Sequence, residues 1–528
     1  MVVGKKLTFA AGVLPVLVLT ALSATAGESG RANPFEAGTW SQPASFIDSC
    51  VLAALRKNGI EPAPPCSGAV FVRRVYLDVI GTLPEPAEVV AFLADQRADK
   101  RAALIDALLK RDEFADYWSL KWCDLLRVKA EFPINLWPNA VQAYHRWILQ
   151  ELRDNRPYDQ FARALLTSSG SNFLDPQVNF YRAVQGRDPS SIAAAVALTF
   201  MGTRLDSWPD ARRAEMAAFF SRVAYKKTAE WKEEIVYLDP APAKAMDAVL
   251  PDGTKVRIPA DVDPRAIFAD WLIRPDNPWF ARNTANRVWS WLLGRGIIHE
   301  PDDIRPDNPP SDPELLAGLE RELVSSQYDL HHLFRLILNS QTYQQSSISK
   351  GDPAPADALF ARYTVRRLDA EVLQDALCAI FGTGVEYSSQ IPEPFAFIPT
   401  TQRSILLADG SITSPFLEMF GRPPRDTGLE SERNNLPSGG QLMYLLNSSA
   451  VLHGIERSPR LAGILRRVNW RRGDAVRQVY LLILSRYPTE AEAEAAENNF
   501  RTSGLNVKQA LDDVAWALVN SKEFLFRH

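Results

Sequence analysis

From Ser45 onward, apolar residues recur at i, i+3, i+4 spacing between capping and breaking signals, a pattern that admits little except packed helices. The segment Lys100–Leu109 carries it most clearly, with Ala103, Leu104, Ala107 and Leu108 on one face. Further helices are predicted over 117–128, 138–153, 158–166 and 190–202, with a break at Asn155-Arg156-Pro157. Between 231 and 263 the period changes. Glu234-Ile235-Val236-Tyr237-Leu238 and Lys255-Val256-Arg257-Ile258 are short β-type runs, and Asp252-Gly253 before the second is a hairpin signal. Helical punctuation then returns. Asn277-Pro278 opens a helix reaching Leu293 and stopped by Gly294 and Gly296; Ser311-Asp312-Pro313-Glu314 reads as a capping box; Asp329 and Asp369 are further caps. The expected fold is mainly α, with two helical units, 44–228 and 264–528, and a small β-element at 229–263 between them. The stretch 383–437 is poor in helix signal and holds Pro392, Pro394, Pro399, Pro415, Pro423 and Pro424, the sort of long structured loop in which function tends to reside.

The chain also resembles itself. Val75-Tyr76-Leu77, Pro84 and Ala87-Glu88 are matched at equal offsets by Val479-Tyr480-Leu481, Pro488 and Ala491-Glu492. Each copy runs through an amphipathic helix into a polar turn and an aromatic, Asp112-Glu113-Phe114 in one and Lys522-Glu523-Phe524 in the other. Leu338-Asn339-Ser340-Gln341-Thr342-Tyr343 is a partial third copy. One helix-hairpin module used more than once accounts for these matches.

Compartment is read from the first residues. Lys5 and Lys6 precede an apolar run over 7–22, and Ala24-Thr25-Ala26 supplies a small-residue cleavage pattern, so 1–26 reads as a secretory signal and 27–43 as a flexible lead-in. The run is broken by Gly12 and Pro15 and falls short of a span, and no later segment is apolar enough for one, so an extracytoplasmic protein without a transmembrane segment after cleavage is expected. A net charge of −4, with acids and bases interspersed, argues against the broad electropositive surface that nucleic acid or anionic lipid requires. Thirteen tryptophans fall mostly at core spacing and are read as packing residues. Of four cysteines, Cys50 and Cys66 flank a turn that brings them together if the chain doubles back, a disulfide that geometry decides; Cys123 and Cys378 lie on apolar helix faces.

Chemistry-bearing residues are sparse. The six histidines form neither Cys-x-x-Cys-His nor His-Glu-x-x-His, and adjacent His331 and His332 point to different sides of a helix, so no metal site is predicted. Glu300, Asp302, Asp303 and Asp307 form an acidic loop whose spacing fits no calcium motif. The helix before it presents Arg282, Asn283, Asn286 and Arg287, which pair with those acids or line an anion or sugar pocket. Glu432, Arg433 and Asn434 lie in the loop 430–440, ahead of a helix whose first amides could take an anion. No Gly-x-Ser-x-Gly elbow or Walker loop is present.

Taken together, Phe71-Val72-Arg73-Arg74-Val75-Tyr76-Leu77-Asp78-Val79-Ile80-Gly81-Thr82-Leu83-Pro84 and Arg156-Pro157-Tyr158-Asp159-Gln160-Phe161 resemble the planctomycete cytochrome-associated (PSCyt-type) domain of unknown function. Arg274-Pro275-Asp276-Asn277-Pro278-Trp279-Phe280-Ala281-Arg282, Asn286-Arg287-Val288-Trp289, Arg367-Leu368-Asp369-Ala370-Glu371 and Leu445-Leu446-Asn447-Ser448 resemble its C-terminal PSD-type companion. The resemblance implies an exported bacterial protein of a family found near c-type cytochrome modules. It also shows a departure. Where the family commonly has Cys-x-x-Cys-His, this chain reads Asp206-Ser207-Trp208-Pro209-Asp210, and covalent haem c is not expected without those thiols. Two functions follow: a non-haem scaffold or binding protein for a partner protein or polysaccharide at the cell envelope, or a hydrolase or lyase of an exported polymer using Glu300, Asp302, Asp303 or Glu432 with Arg433. Electron transfer is a third reading.

Overall fold

In the helix Gly68–Val79 every residue from Val70 to Val79 is shielded from solvent, Arg73, Arg74 and Asp78 included. This helix belongs to a computed structural model that describes residues 33–528 apart from 41–42, 44, 242–243, 349–351 and 393–395, so the expected leader at 1–26 and most of the expected lead-in lie outside the described residues. A helix buried on all sides must find partners for its charges. They come from far along the chain. Arg73 donates to the carbonyls of Ile483 (2.7 Å) and Phe524 (3.0 Å), and Arg74 to those of Tyr343 (2.7 Å), Gln345 (2.8 Å) and His528 (2.9 Å). Asp78 accepts from the hydroxyls of Tyr343 and Tyr363, each at 2.8 Å, and from Arg366 at 3.0 Å.

These bonds explain why Phe35–His528 packs as one compact unit. The architecture is mainly helical with small β-sheets, and the helical segments on either side of the β-element share a core. Phe46–Lys57 packs on Pro313–Ser325, and Lys100–Leu109 on Leu330–Asn339. Trp118 and Trp122, on the helix Asp112–Leu125, meet Trp291 at centroid distances of 5.4 and 5.0 Å, and Trp118 lies 4.4 Å from Phe334. Most tryptophans are core residues in this way; Trp470, 53% exposed, is an exception.

Both β-type runs form strands, but not with each other. Glu234–Leu238 is the middle of a three-stranded antiparallel sheet, between Val223–Lys227 and Gly170–Ser171. Lys255–Ile258 pairs with Met246–Val249 across the Asp252-Gly253 turn, where Gly253 takes φ +89°. A third sheet joins Arg366–Arg367 to Phe526–Arg527 and ties the chain end into the core.

Local signals are modified where tertiary partners compete for them. The helix after Asn277 starts later than predicted, at Phe280, because the Asn277 side chain accepts from the amides of Trp279 and Phe280. At 311–314 the capping box reduces to Asp312 alone, accepting from the Leu315 amide. Asp369 caps nothing; its carboxylate is drawn into a buried ion network instead. The helix Pro189–Val196 continues as a π-turn over Ala197–Met201 and stops at Gly202, φ +59°.

The bridge between Cys50 and Cys66, which the sequence leaves to geometry, is not formed, and both thiols are free. Cys50 faces the start of the helix Pro313–Ser325, where burial first, and then Asp312 and Glu314, raise its pKa. The segment 63–66 does not double back on the first helix. It is held to later chain instead, the Ala63 amide donating to Ala361 O (2.7 Å) and the Cys66 amide to Gln344 O (2.9 Å), while Arg101 donates to Cys66 O at 2.7 Å.

The self-resemblance corresponds to matching architecture. Gly68–Val79 and Pro86–Ala94 in one copy stand where Arg472–Leu484 and Glu490–Thr502 stand in the other. In each, an arginine clamps the same two acids beneath the same tyrosine. Arg111 pairs with Glu88 (3.0 Å) and Glu113 (2.5 Å) over Tyr76; Arg486 pairs with Glu492 (2.7 Å) and Glu523 (2.6 Å) over Tyr480. The two arginines come from different places in the module, so the electrostatic requirement recurs although the residue supplying it has moved.

Candidate functional site

The family-like motifs converge on a buried ion network. Helix Asp112–Leu125 contributes Tyr117, Lys121 and Asp124 at i, i+4 and i+7, one face of the helix. Asp369 receives Tyr117 Oη (2.8 Å), Lys121 Nζ (3.1 Å), Asn435 Nδ2 (2.7 Å) and Arg527 (3.1 Å). Arg433 bridges outward, donating to Asp124 at 2.7 Å and to Glu371 at 2.7 Å. Arg425 donates to the other oxygen of Asp124 at 2.8 Å, and Arg422 Nε lies 3.3 Å from Glu371. Burial works against the Asp369 charge, yet Lys121, Arg527 and Arg433 outweigh it and hold its pKa well below the usual carboxylate range. Asp124 is lowered in the same way, against burial, by Arg433 and Arg425.

The network supports a groove. Arg422, on its floor, donates to the carbonyls of Ile412 and, at 3.0 Å, Asp409. Asp409 in turn accepts from the amides of Ala130 (2.9 Å) and Ser411 (2.8 Å), and the Gly410 amide donates to Val128 O (2.9 Å). Above them opens a cleft of about 390 Å³ lined by Lys129, Glu131, Ser389, Ser411, Glu418 and Arg422 among others. That volume lies within the span of small-ligand sites. Glu131 accepts from the Gln390 amide at 3.2 Å, and Lys129 donates to Asp426 at 2.6 Å, so the walls are preorganised.

The acids and bases singled out from sequence have other employment. Glu300 pairs at the surface with Arg204 (3.2 Å) and Asp303 with Arg305 (3.2 Å). Asp302 is buried against Arg287 (2.8 Å) and accepts the Glu430 amide at 2.6 Å, locking the loop after the helix Phe280–Leu293 to the loop at 430. Arg282 reaches Glu320 on the next helix (2.8 Å) rather than the acidic loop. Asn286 clamps the backbone of Ile298, donating at 3.0 Å and accepting at 2.8 Å. Glu432 accepts from the Thr427 amide (2.7 Å) and hydroxyl (2.6 Å), and the Asn434 side chain from the Leu436 amide (3.0 Å). The helix Gly439–Asn447 is closed by its own Ser438/Gln441 capping box. Only Arg433 joins the network under the groove. Each of the remaining acids is committed to a partner of its own. Near this lock, burial raises the Glu430 carboxyl against Lys121 and Arg287, and Trp291 Nε1 donates to it at 2.9 Å.

Groove residues such as Lys129, Glu131 and Glu418 carry no local motif. The signal that pointed toward them was coarse: the proline-rich irregular stretch 383–437 supplies most of the lining.

Covalent haem does not fit the segment that departs from the family pattern. Residues Leu205–Ser207 form a 3-10 turn, and Trp208 lies beneath the Arg212 guanidinium at 3.7 Å, without thiol or imidazole. No group of three or more His, Cys, Asp or Glu placed to hold a metal occurs among the described residues, and no helix among them is long and apolar enough to cross a membrane.

Comparison with known families agrees with the motifs. The model described as PSCyt2, protein of unknown function (DUF1549), matches residues 46–224, and the one described as PSD1, protein of unknown function (DUF1553), matches 264–500. No curated protein and no solved structure matches the chain. The Asp78, Lys121 and Asp124 side of the network lies in the first match and the Asp369, Glu371, Arg422, Arg425 and Arg433 side in the second. The chain therefore belongs to the family in which a PSCyt2 domain is followed by a PSD1 domain, both of unknown function.

Proposed function

We propose that the protein is an extracytoplasmic, haem-free binding protein that holds a polyhydroxylated chain, a segment of an envelope polysaccharide, in the groove above Arg422. The observation that carries this reading is the lining: serine and threonine hydroxyls, the Gln390 side chain, carboxylates of Glu131 and Glu418, and the cation Lys129. Such a wall offers both donors and acceptors, which is what sugar hydroxyls require. The leader-like residues 1–26 support the compartment, and the missing thiols and imidazole at 206–210 support a role without covalent haem.

Binding of defined oligosaccharides of several sugars, neutral and acidic, by the mature chain is measured by calorimetry. At least one class binds, and Glu418→Gln or Lys129→Met weakens it by about tenfold, the worth of a lost hydrogen bond to a charged group. Equal affinity in both variants, or no binding to any member of the panel, rejects the groove as the site.

A further inference from the structure

Between Arg457 and Arg477 the chain carries seven arginines, at 457, 460, 466, 467, 471, 472 and 477, against the single acid Asp474. The whole molecule has a net charge of −4, so this local excess does not show in the overall balance. The fold keeps the charge at the surface. Arg466 and Arg467 end the helix Pro459–Arg467, Arg472 begins the helix Arg472–Leu484, and every residue from 469 to 473 between them is exposed.

The turn that joins these helices presents a tryptophan. The Asn469 amide donates to Arg466 O (3.2 Å) and the Trp470 amide to Leu465 O (2.9 Å), the paired bonds of a Schellman cap. Asn469 at φ +53° suits that position, but Trp470 is also left-handed, φ +58°, a conformation strained for a bulky side chain. The strained conformation leaves the indole 53% exposed among arginines. Nearby acids neutralise only part of the cluster: Arg471 and Arg477 share Asp474 (3.0 and 3.5 Å), and Arg472 stands 3.7 Å from Glu497. Among the described residues, Arg466 and Arg467 have no acidic partner.

We propose that this arginine-rich, tryptophan-tipped turn is a peripheral docking site for an anionic phospholipid bilayer. Charge complementarity selects a polyanion, since clustered basic residues near an anionic membrane each add favourable energy. The exposed indole selects a bilayer, because tryptophan partitions to the headgroup level with an apolar body and a polar N–H. Exposure agrees, as every residue from 469 to 473 is open to an approaching surface. The site is separate from the groove above Arg422, so the two proposals stand or fall independently.

The mature full-length chain is sedimented with vesicles of phosphatidylcholine alone and with roughly one-third phosphatidylglycerol, at low and high salt. It sediments with the anionic vesicles only, and high salt releases it. The double variant Arg466→Gln/Arg467→Gln lowers the partition coefficient by about tenfold or more, Trp470→Ser lowers it as well, and neither changes the melting temperature. Arg97→Gln, an exposed arginine elsewhere, leaves partitioning unchanged. The proposal is overturned if anionic vesicles do not carry the protein down, if the Arg466/Arg467 or Trp470 variants partition like the parent, or if dextran sulfate captures the protein while vesicles do not.

Discussion

Arg433 illustrates how much rests on single side chains here. Its side chain is 5% exposed, and its guanidinium serves Asp124 and Glu371 together, with Asp369 at 3.7 Å. Removing one member of a buried ion group costs more than the group contributes, because the carboxylates left behind keep their desolvation penalty. Arg433→Met is accordingly expected to lower unfolding free energy by about 3 kcal/mol, read from urea melts, with Arg433→Lys restoring only part, since an ammonium cannot reproduce the two-ended fork. The importance of Arg433 could be suspected from its polar loop, whereas its partners could not. Asp369 shows why: its position before an apolar helix is that of a cap, and only the approach of Lys121, Tyr117 and Arg527 diverts it.

Elements were legible where the signal was local and blurred where two parts of the chain compete for one group. Helix periodicity, the Asp252-Gly253 hairpin and the strand Glu234–Leu238 depend on residues a few positions apart. The partner of that strand does not, and Val223–Lys227 has too weak an alternation to announce itself, with an exposed lysine pair at one end. The repeated module shows the same division: Glu88 and Glu492 align, but the arginine that clamps each comes from an unrelated position. At the junction after the π-turn Ala197–Met201, Gly202 takes φ +59°, and its carbonyl accepts from the Ile304 amide at 2.8 Å. A Cβ there would lie 2.5 Å from Asn283 Oδ1 and 2.9 Å from Pro301 O. Gly202→Ala therefore combines a strained backbone with overpacking, and a loss on the order of 2 kcal/mol in thermal or urea unfolding is expected.

For the molecule as a whole, several buried charged groups of the first family segment are partnered in the chain beyond it. Arg73, Arg74, Asp78, Lys121 and Asp124 all find their partners beyond residue 340. Neither segment can bury these groups alone without stranding them. Residues 44–228 and 264–528 produced separately are expected to lack cooperative unfolding and dispersed amide spectra, and to recover both on co-expression; a cooperative melt of 44–228 alone would contradict the shared core. Periods, caps and motifs are short-range properties of the covalent chain, and they carry the mainly helical class, the place of the small β-element and the family the chain joins. Which charges are buried together, that Cys50 and Cys66 stay apart, and that a polar groove opens over Arg422 are properties of the folded molecule. Those outcomes turn on distances between residues hundreds of positions apart, which no local pattern encodes.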